Sequence, residues 1–240
     1  MAAYQTVLRR RESVAEGTAA FYFEKPAGFA HQAGQNAVFT LVDPPETDSQ
    51  GPSRTFTIAS APHEPELMIA TRMRDTAFKR VLKSIALGAP IRIDGPSGVM
   101  VLHDDAARPA VFLAGGIGVT PFLSIARHAA KNRLPHRITL FYSNRRPEDA
   151  PFLDELRALE RNNSNYRLVA IMSQAEKSSQ PWRGETGLIR PDMIRRYVTD
   201  LKSPIYYVAG PHGMTMSMEL MLGELGVDEN DMHSEEFYGY

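Results

Sequence analysis

The chain has 240 residues, of which 43% are hydrophobic and 23% charged, and it contains no cysteine. Its formal net charge of −1 argues against nucleic acid and membrane surfaces as main partners, because both favour strongly basic proteins. Without cysteine it cannot form disulfides or an all-cysteine iron–sulfur cluster. Redox chemistry would therefore need an organic cofactor, or a metal bound through His or carboxylates.

The start of the chain lacks the apolar stretch of a signal peptide. The longest apolar run, Ala110 to Gly118, is about half as long as a membrane span. We therefore expect a cytoplasmic protein with no membrane insertion.

Residues 1–104 contain short β-rich segments separated by Gly, Pro or polar turns: Tyr4–Val7, Ala19–Glu24, Ala37–Val42, Thr55–Ile58, Glu66–Thr71 and Pro90–Asp94. Such regular short strands predict a closed antiparallel barrel or sandwich. Thr76 to Ala86 instead has helical spacing of its apolar residues, with Asp75 as the expected N-cap and Gly88 after its end.

Residues 105–240 alternate between strand-like and helix-like segments. The predicted strands are Pro109–Ala114, Arg137–Tyr142, Tyr166–Met172 and Ser203–Ala209, and the predicted helices are Pro121–Asn132, Ala150–Arg161, Arg190–Tyr197 and Met214–Leu225. This alternation predicts an α/β domain with a doubly wound parallel sheet. We expect the two domains to span residues 1–104 and 105–240, with a polar surface loop at Ser173–Gly187.

One segment carries a strong chemical signal. The run from Ala114 to Pro121 contains three glycines between a buried strand and a helix, where a phosphate can approach the backbone and the helix N-terminus. The strand from Arg54 to Ser60 carries an arginine, an aromatic ring and hydroxyl groups, with Arg54 and Phe56 on one side and Thr57 on the other, and its composition alone favours an ordinary strand. Turns at Asp94–Gly98 and Val208–Pro211 and an aromatic tail follow along the chain.

Taken in order, the segments RTFT, GPSG, GGIGVTP, FYSNRRPED, AGP and EEF resemble the ferredoxin–NADP⁺ reductase family, and the resemblance covers essentially the whole chain. It implies a six-stranded antiparallel β-barrel that binds FAD, followed by a domain that binds NAD(P). The flavin ring is then expected between the two domains.

The resemblance also implies individual roles. Arg54 would pair with the FAD diphosphate, Phe56 would pack along the flavin, and the Thr57 hydroxyl would approach flavin N5. The full expected set on the flavin side is Arg54, Phe56, Thr57, Ile58, Ala70, Thr71, Arg72, Ala77, Phe78 and Lys79.

On the nucleotide side, the expected residues are Gly115, Gly116, Gly118, Thr120, Pro121, Ser143, Asn144, Arg145, Gly210 and Pro211, with Thr120 nearest the flavin. Two arginines, Arg145 and Arg146, and no acidic residue follow the second strand directly. Because arginine suits a 2′-phosphate, we expect NADP(H) rather than NAD(H). Ala209 stands where relatives often carry cysteine near the nicotinamide.

The tail residues Phe237, Tyr238 and Tyr240 resemble a segment that covers the flavin, and Glu236 would orient a proton or the nicotinamide amide. The candidate catalytic residues are therefore Thr57, Thr120 and Glu236, and no metal site is expected.

The expected activity is hydride transfer between NAD(P)H and FAD, with electrons passed to a separate acceptor such as ferredoxin, flavodoxin or an oxygenase component. No iron–sulfur extension is expected within the chain. Two alternatives remain open: a reductase of free flavin or ferric complexes, and a non-catalytic nucleotide sensor or electron-transfer accessory subunit.

Overall fold

The computed structural model describes residues 2–237 and contains two six-stranded sheets. The first is antiparallel throughout, in the order β4-β3-β6-β1-β2-β5. Its strands are β1 (Ala3–Ala15), β2 (Thr18–Glu24), β3 (Asn36–Leu41), β4 (Ser53–Thr57), β5 (Glu66–Arg72) and β6 (Pro90–Ser97). Helix α1 (Ala77–Ser84) lies between β5 and β6.

Alternation along the strands produces the core of this sheet. In β3, Ala37, Phe39 and Leu41 are buried while the intervening residues are partly exposed. The edges β4 and β5 approach each other, and the Ala59 amide just after β4 donates to the Met68 carbonyl of β5 at 2.7 Å. The predicted six-stranded barrel is thereby confirmed.

Strand β1 is longer than Tyr4–Val7, the segment predicted from its composition. It continues to Ala15 because its second half pairs with β2, from Arg10↔Tyr22 to Ala15↔Thr18. Backbone pairing holds this charged stretch in the sheet although its side chains lack strand character.

The N-cap of α1 is Thr76, and the prediction of Asp75 was wrong by one residue. The Thr76 hydroxyl accepts a hydrogen bond from the Lys79 amide at 3.3 Å. The carboxylate of Asp75 instead binds Arg80 in an exposed ion pair. The helix ends at Ser84, two residues before the predicted Ala86.

The second sheet is parallel, in the order β10-β9-β8-β7-β11-β12, which confirms the predicted doubly wound domain. Its strands are β7 (Ala110–Gly115), β8 (Ile138–Asn144), β9 (Tyr166–Met172), β10 (Glu185–Thr186), β11 (Ile205–Pro211) and β12 (Met232–Phe237). Its helices are α2 (Thr120–Asn132), α3 (Leu153–Asn162), α4 (Pro191–Tyr197) and α5 (His212–Glu224).

Strand β7 is buried on both faces, as its unbroken apolar sequence predicts. Phe112 packs on one face, in the apolar cluster that contains residues of α2 and α3. Val111 and Leu113 pack on the other, in the cluster that contains residues of α4 and α5. Strand β12 was missed because its sequence, MHSEEF, is mostly polar, which an edge strand tolerates.

The two sheets share a packed interface. Ala20, Met68 and Ala70 of the barrel belong to the same apolar cluster as Phe122 and Ile125 of α2. Residues 98–109 connect β6 to β7, and the boundary at residue 104 stays a prediction. Within residues 2–237, no helix is long and apolar enough to cross a membrane.

Candidate functional site

A cavity of about 520 Å³ lies between the barrel and the parallel sheet, and we call it the interdomain cavity. Its volume falls in the range typical of small-molecule sites, ~300–1,000 Å³. The barrel side is lined by Gln50, Arg54, Thr55, Phe56, Thr57, Ala70, Thr71, Arg72, Thr76 and Lys79. The other side is lined by Ile117, Glu235, Glu236 and Phe237.

Cations dominate the part of this cavity near α1. Burial and the neighbouring Arg74 and Arg54 lower the pKa of Lys79. Burial and the neighbouring guanidinium groups disfavour the charged form of Lys79, and an anion would restore it; the N-terminus of α1, where Asp48 already accepts from the Ala77 amide, also favours an anion. This part of the cavity therefore suits a phosphate group.

The guanidinium of Arg54 is held in place by the loop that precedes β4. Its Nη2 donates to both carboxylate oxygens of Asp48 at 2.7 and 2.9 Å, and its Nη1 donates to the Gly51 carbonyl at 2.8 Å. Arg54 also lies over the ring of Phe78, with its Cζ 5.3 Å from the ring centroid. These contacts fix the arginine at the wall of the cavity.

Thr57 and Phe56 occupy the end of β4. The Thr57 Oγ1 atom is buried and has no hydrogen-bond partner among the described residues. Leaving a hydroxyl buried without a partner is unfavourable unless a ligand supplies one. The ring of Phe56 packs against Phe39 and Phe78, with centroid distances of 6.1 and 5.7 Å.

Two consecutive glutamates of β12 line the same cavity but have different environments. Glu235 is partly buried, its Oε1 accepts from Asn36 Nδ2 at 3.2 Å, and burial raises its pKa. Glu236 pairs with His212 at the start of α5, with 2.8 Å between Oε1 and Nδ1. Glu235 is thus a carboxyl group of the cavity whose pKa is raised by burial.

A second cavity of about 190 Å³ lies in front of the glycine-rich turn, and we call it the glycine-turn cavity. It is lined by Arg72, Arg74, Gly115, Gly116, Ser143, Asn144, Arg145, Asp149, Ser173, Pro211 and Met214. Arg72 therefore lines both cavities. The Nδ2 of Asn144 is buried with no hydrogen-bond partner in the described part of the chain.

The two arginines that follow β8 make different contacts. Arg145 lines the glycine-turn cavity. Arg146 instead binds Asp149 at 2.9 Å and Glu16 of the barrel at 2.8 Å. The Asp149 carboxylate is also 3.6 Å from Arg72, and the Arg146 guanidinium is the main cause of its lowered pKa.

The glycines of the turn make room for the protein's own atoms. A Cβ on Gly118 would lie 2.3 Å from the Ala209 carbonyl oxygen, and a Cβ on Gly115 would lie 2.3 Å from Met214 Sδ. Gly116 has a φ of +54°, which a residue with a side chain rarely adopts. Packing against β11 and α5 thus explains two of these glycines, and backbone conformation explains the third.

The structure brings most of the predicted site residues to the two cavities. The interdomain cavity has Arg54, Phe56, Thr57, Ala70, Thr71, Arg72, Lys79, Glu236 and Phe237, and the glycine-turn cavity has Gly115, Gly116, Ser143, Asn144, Arg145 and Pro211. Tyr238 and Tyr240 lie outside the described residues.

Other predicted residues line neither cavity: Ile58, Ala77, Phe78, Gly118, Thr120, Pro121 and Gly210. Ile58 and Phe78 are buried in the barrel core, since alternate positions of a strand and one face of a helix must point inward. The Thr120 hydroxyl donates to the Ile117 carbonyl at 3.0 Å, and Ile117 itself faces the interdomain cavity. Ala209 is fully buried.

Residues outside the predicted set complete both cavities: Gln50, Thr55, Thr76, Ile117 and Glu235 in one, and Arg74, Asp149, Ser173 and Met214 in the other. Ser173 directly follows β9, so the rule that ligands bind at the carboxyl ends of parallel strands could have found it. Glu235 could be found only by recognising β12 as a strand.

Known proteins are similar to this chain in sequence. A family model described as the oxidoreductase NAD-binding domain matches residues 112–219. Ferredoxin–NADP reductase B of Sorangium cellulosum is 30% identical over 192 residues, covering 77% of this chain and 78% of that protein. The glycine betaine monooxygenase reductase subunit of Chromohalobacter salexigens is 26% identical over 223 residues, covering 92% of this chain. The chain spans 60% of the length of that subunit.

Solved structures show the same fold at low sequence identity. The FAD/NAD-binding domain of a nitric oxide dioxygenase from Vibrio cholerae superposes with a TM-score of 0.82 at 19% identity, covering 97% of this chain and 98% of that one. A ferredoxin NADP⁺ reductase from Neisseria gonorrhoeae gives a TM-score of 0.80 at 19% identity, covering 98% of both chains.

The match to the Sorangium reductase extends over most of both proteins, and it agrees with the barrel and parallel sheet found here. The chain belongs to the ferredoxin–NADP reductase family of FAD- and NAD(P)-binding oxidoreductases.

Proposed function

We propose that the chain binds FAD in the interdomain cavity, accepts hydride from NAD(P)H and passes electrons to a separate acceptor. The observation that carries the proposal is the composition of that cavity, which combines cations, an aromatic ring, an unpartnered hydroxyl and a carboxyl beside the glycine-rich turn. The names of relatives, which include oxygenase reductase components and a ferredoxin–NADP reductase, support an acceptor of the ferredoxin or oxygenase class.

The residues present fit FAD. Arg54, Lys79 and the N-terminus of α1 would hold the diphosphate, because each offers positive charge or N–H donors to an anion. Phe56 would lie along the ring system, and Thr57 Oγ1 would gain the hydrogen-bond partner that the protein does not provide.

Bound FAD would supply the hydride and single-electron chemistry that no side chain of this protein can perform. The protein's own residues would orient the flavin ring and shield the cavity from water. Thr57 would offer its hydroxyl to the ring, and Ile117 and Phe237 would exclude water from the cavity. Glu236 would keep the role of orienting a proton, and we propose that Glu235 shares it, because both line the cavity and Asn36 holds the Glu235 carboxyl in place.

We further propose that NADP(H) is preferred over NAD(H). The glycine-turn cavity is lined by Arg72, Arg74 and Arg145, and its one carboxylate, Asp149, is already bound by Arg146. Such a surface favours the extra phosphate of NADP(H). A serine, Ser173, lines the cavity after β9, where an acidic residue would repel that phosphate.

The test is anaerobic reduction of the purified protein, followed by flavin absorbance. We expect stoichiometric FAD after gel filtration, and faster bleaching by NADPH than by NADH. Thr57→Ala should retain FAD yet slow bleaching at least about tenfold, because positioned proton and hydrogen-bonding groups typically contribute ~10²–10⁴-fold. Thr40→Ala, which removes a hydroxyl from the adjacent strand β3 outside both cavities, is the control and should remain near the parent rate.

Each other outcome selects an alternative. Loss of FAD on gel filtration would indicate a reductase of free flavin. Absence of bleaching with both nucleotides would indicate a nucleotide sensor or accessory subunit. Full-speed bleaching in Thr57→Ala would remove Thr57 from the proposed site.

A further inference from the structure

Asn36 connects the barrel to the last strand of the parallel sheet. It is the first residue of β3, and its Nδ2 donates to Glu235 Oε1 at 3.2 Å. The two residues are 199 positions apart in the chain, so the contact bridges the two domains directly. Asn36 also pairs with Thr57 in the ladder between β3 and β4.

A second hydrogen bond orients the amide of Asn36. The Ser97 hydroxyl, at the end of β6, donates to Asn36 Oδ1 at 2.7 Å. If the amide were reversed, its oxygen would face the carboxylate of Glu235, and two acceptors would repel each other. The carboxylate of Glu235 therefore selects the orientation in which the NH₂ group is directed at it, and the Ser97 hydroxyl, which can donate or accept, is compatible with that orientation.

The backbone also confines Asn36. A Cβ on Gly98 would lie 2.8 Å from Asn36 Nδ2 and 3.2 Å from its Cγ, so the glycine is what allows the loop after β6 to close on the amide. Gly98 has a φ of +94°, a conformation that residues with a side chain rarely adopt. The amide is thus fixed by packing as well as by hydrogen bonds.

We propose that Asn36 is a positioning residue that holds the carboxyl of Glu235 in one orientation, beside Thr57 at the reactive end of the interdomain cavity. The inference rests on the proposed function, since it assigns Glu235 to the reaction. Asn36 itself lines neither cavity and acts through the glutamate.

Asn36 would affect both the orientation and the protonation of the Glu235 carboxyl. The N–H donor stabilises the carboxylate form of Glu235 and opposes burial, which raises its pKa. The other charged groups that line this cavity are Arg54, Arg72, Lys79 and Glu236, and His212 of α5 faces Glu236.

The experiment uses FAD-loaded protein and two readouts. The first is the pKa of Glu235, followed by NMR of ¹³C-labelled glutamate and assigned with Glu235→Gln. The second is the pH profile of flavin reduction by NADPH. Asn36→Ala should raise the pKa of Glu235, move the glutamate-dependent limb of the profile in the same direction, and slow reduction about tenfold at the optimum. Ser97→Ala should move both readouts in the same direction by less.

The control is Thr40→Ala, on the same strand, whose hydroxyl bonds Ser53 on the far side from Glu235. It should leave both readouts unchanged. An unaltered Glu235 pKa in Asn36→Ala, with reduction intact, would overturn the inference alone. A shifted pKa in a protein whose flavin NADPH never reduces would overturn the proposed function, and the catalytic role of the contact with it. If Asn36→Ala does not fold, Ser97→Ala decides by the same criteria.

Discussion

At the scale of single residues, the glycine-rich turn is shaped by contacts inside the protein. Glycines before a helix predict a phosphate site, and Gly115 and Gly116 do line the glycine-turn cavity. Gly118 does not, because the space of its missing side chain is taken by the backbone of Ala209 and Gly210. Position 118 therefore requires glycine first for the packing of the fold, and only second for the binding of a phosphate.

Gly118→Ala should lower the free energy of unfolding by about 3 kcal/mol, because the new methyl group meets backbone atoms that cannot rotate away. Gly213→Ala is the matched control, since no atom lies within 4 Å of its added Cβ in α5. That change should stabilise the helix by about 0.5 kcal/mol. Urea denaturation of both variants measures the difference, and equal stabilities would contradict the packing explanation.

The candidate site residues that the sequence could predict fall into two groups. The glycines follow a buried strand, a local pattern that predicts a nucleotide turn, whereas Arg54 and Thr57 were expected from the resemblance to a known family. Arg74 and Asp149 could not be predicted, because their places depend on contacts between elements far apart in the chain. Thr120 was assigned from its position beside the turn, which does not reveal that its hydroxyl serves the turn's own backbone.

At the scale of elements, the connection between β2 and β3 is secured by a buried histidine. His31 Nε2 lies 3.2 Å from the Ser60 carbonyl, and its Nδ1 is buried with no partner among the described residues. Its ring packs near Phe29 at 5.8 Å. Burial is the main cause that lowers its pKa from 6.5 to about 4, with smaller effects from Lys25 and His128.

A base whose pKa is lowered by folding stabilises the protein above its unfolded pKa and loses that contribution as pH falls. For His31 the contribution is complete above pH 6.5 and disappears as the pH approaches 4. We expect the free energy of unfolding to fall by roughly 3 kcal/mol across this window on account of His31.

His31→Gln should flatten this part of the pH dependence, because an amide cannot take up the proton. The exposed His63→Gln is the control and should keep the parent slope. The measurement is urea denaturation between pH 4 and 7. Parallel curves for the parent protein and His31→Gln would show that His31 is not the group responsible.

At the scale of the whole molecule, the barrel and the parallel sheet are joined through Arg127 of α2. Its Nε and Nη2 donate to Glu155 of α3 at 2.6 and 2.8 Å, and its Nη1 donates to the Ala59 carbonyl of the barrel at 3.2 Å. Glu64 of the barrel lies 3.4 Å away. Nearby, Ser124 Oγ donates to the Ser60 carbonyl at 2.8 Å.

Arg127→Met should destabilise the protein by about 3 kcal/mol, because a mostly buried charge network loses its central cation. It should also reduce the cooperativity between domains, and calorimetry should then resolve two unfolding transitions in place of one. Arg157→Met, which removes an exposed pair with Asp154, should change stability by less than about 0.5 kcal/mol. A single sharp transition in Arg127→Met would place the domain coupling elsewhere.

Arg72 connects the two cavities electrostatically. One guanidinium lines the wall of two cavities, and its ion-pair partner Asp149 belongs to the nucleotide domain. With flavin in one cavity and nucleotide in the other, as we propose, an anion that attracts this cation in either cavity would change the electric field in the other, and the two binding equilibria would share one free energy of interaction. Reciprocity follows: the factor by which flavin alters nucleotide affinity must equal the factor by which nucleotide alters flavin affinity.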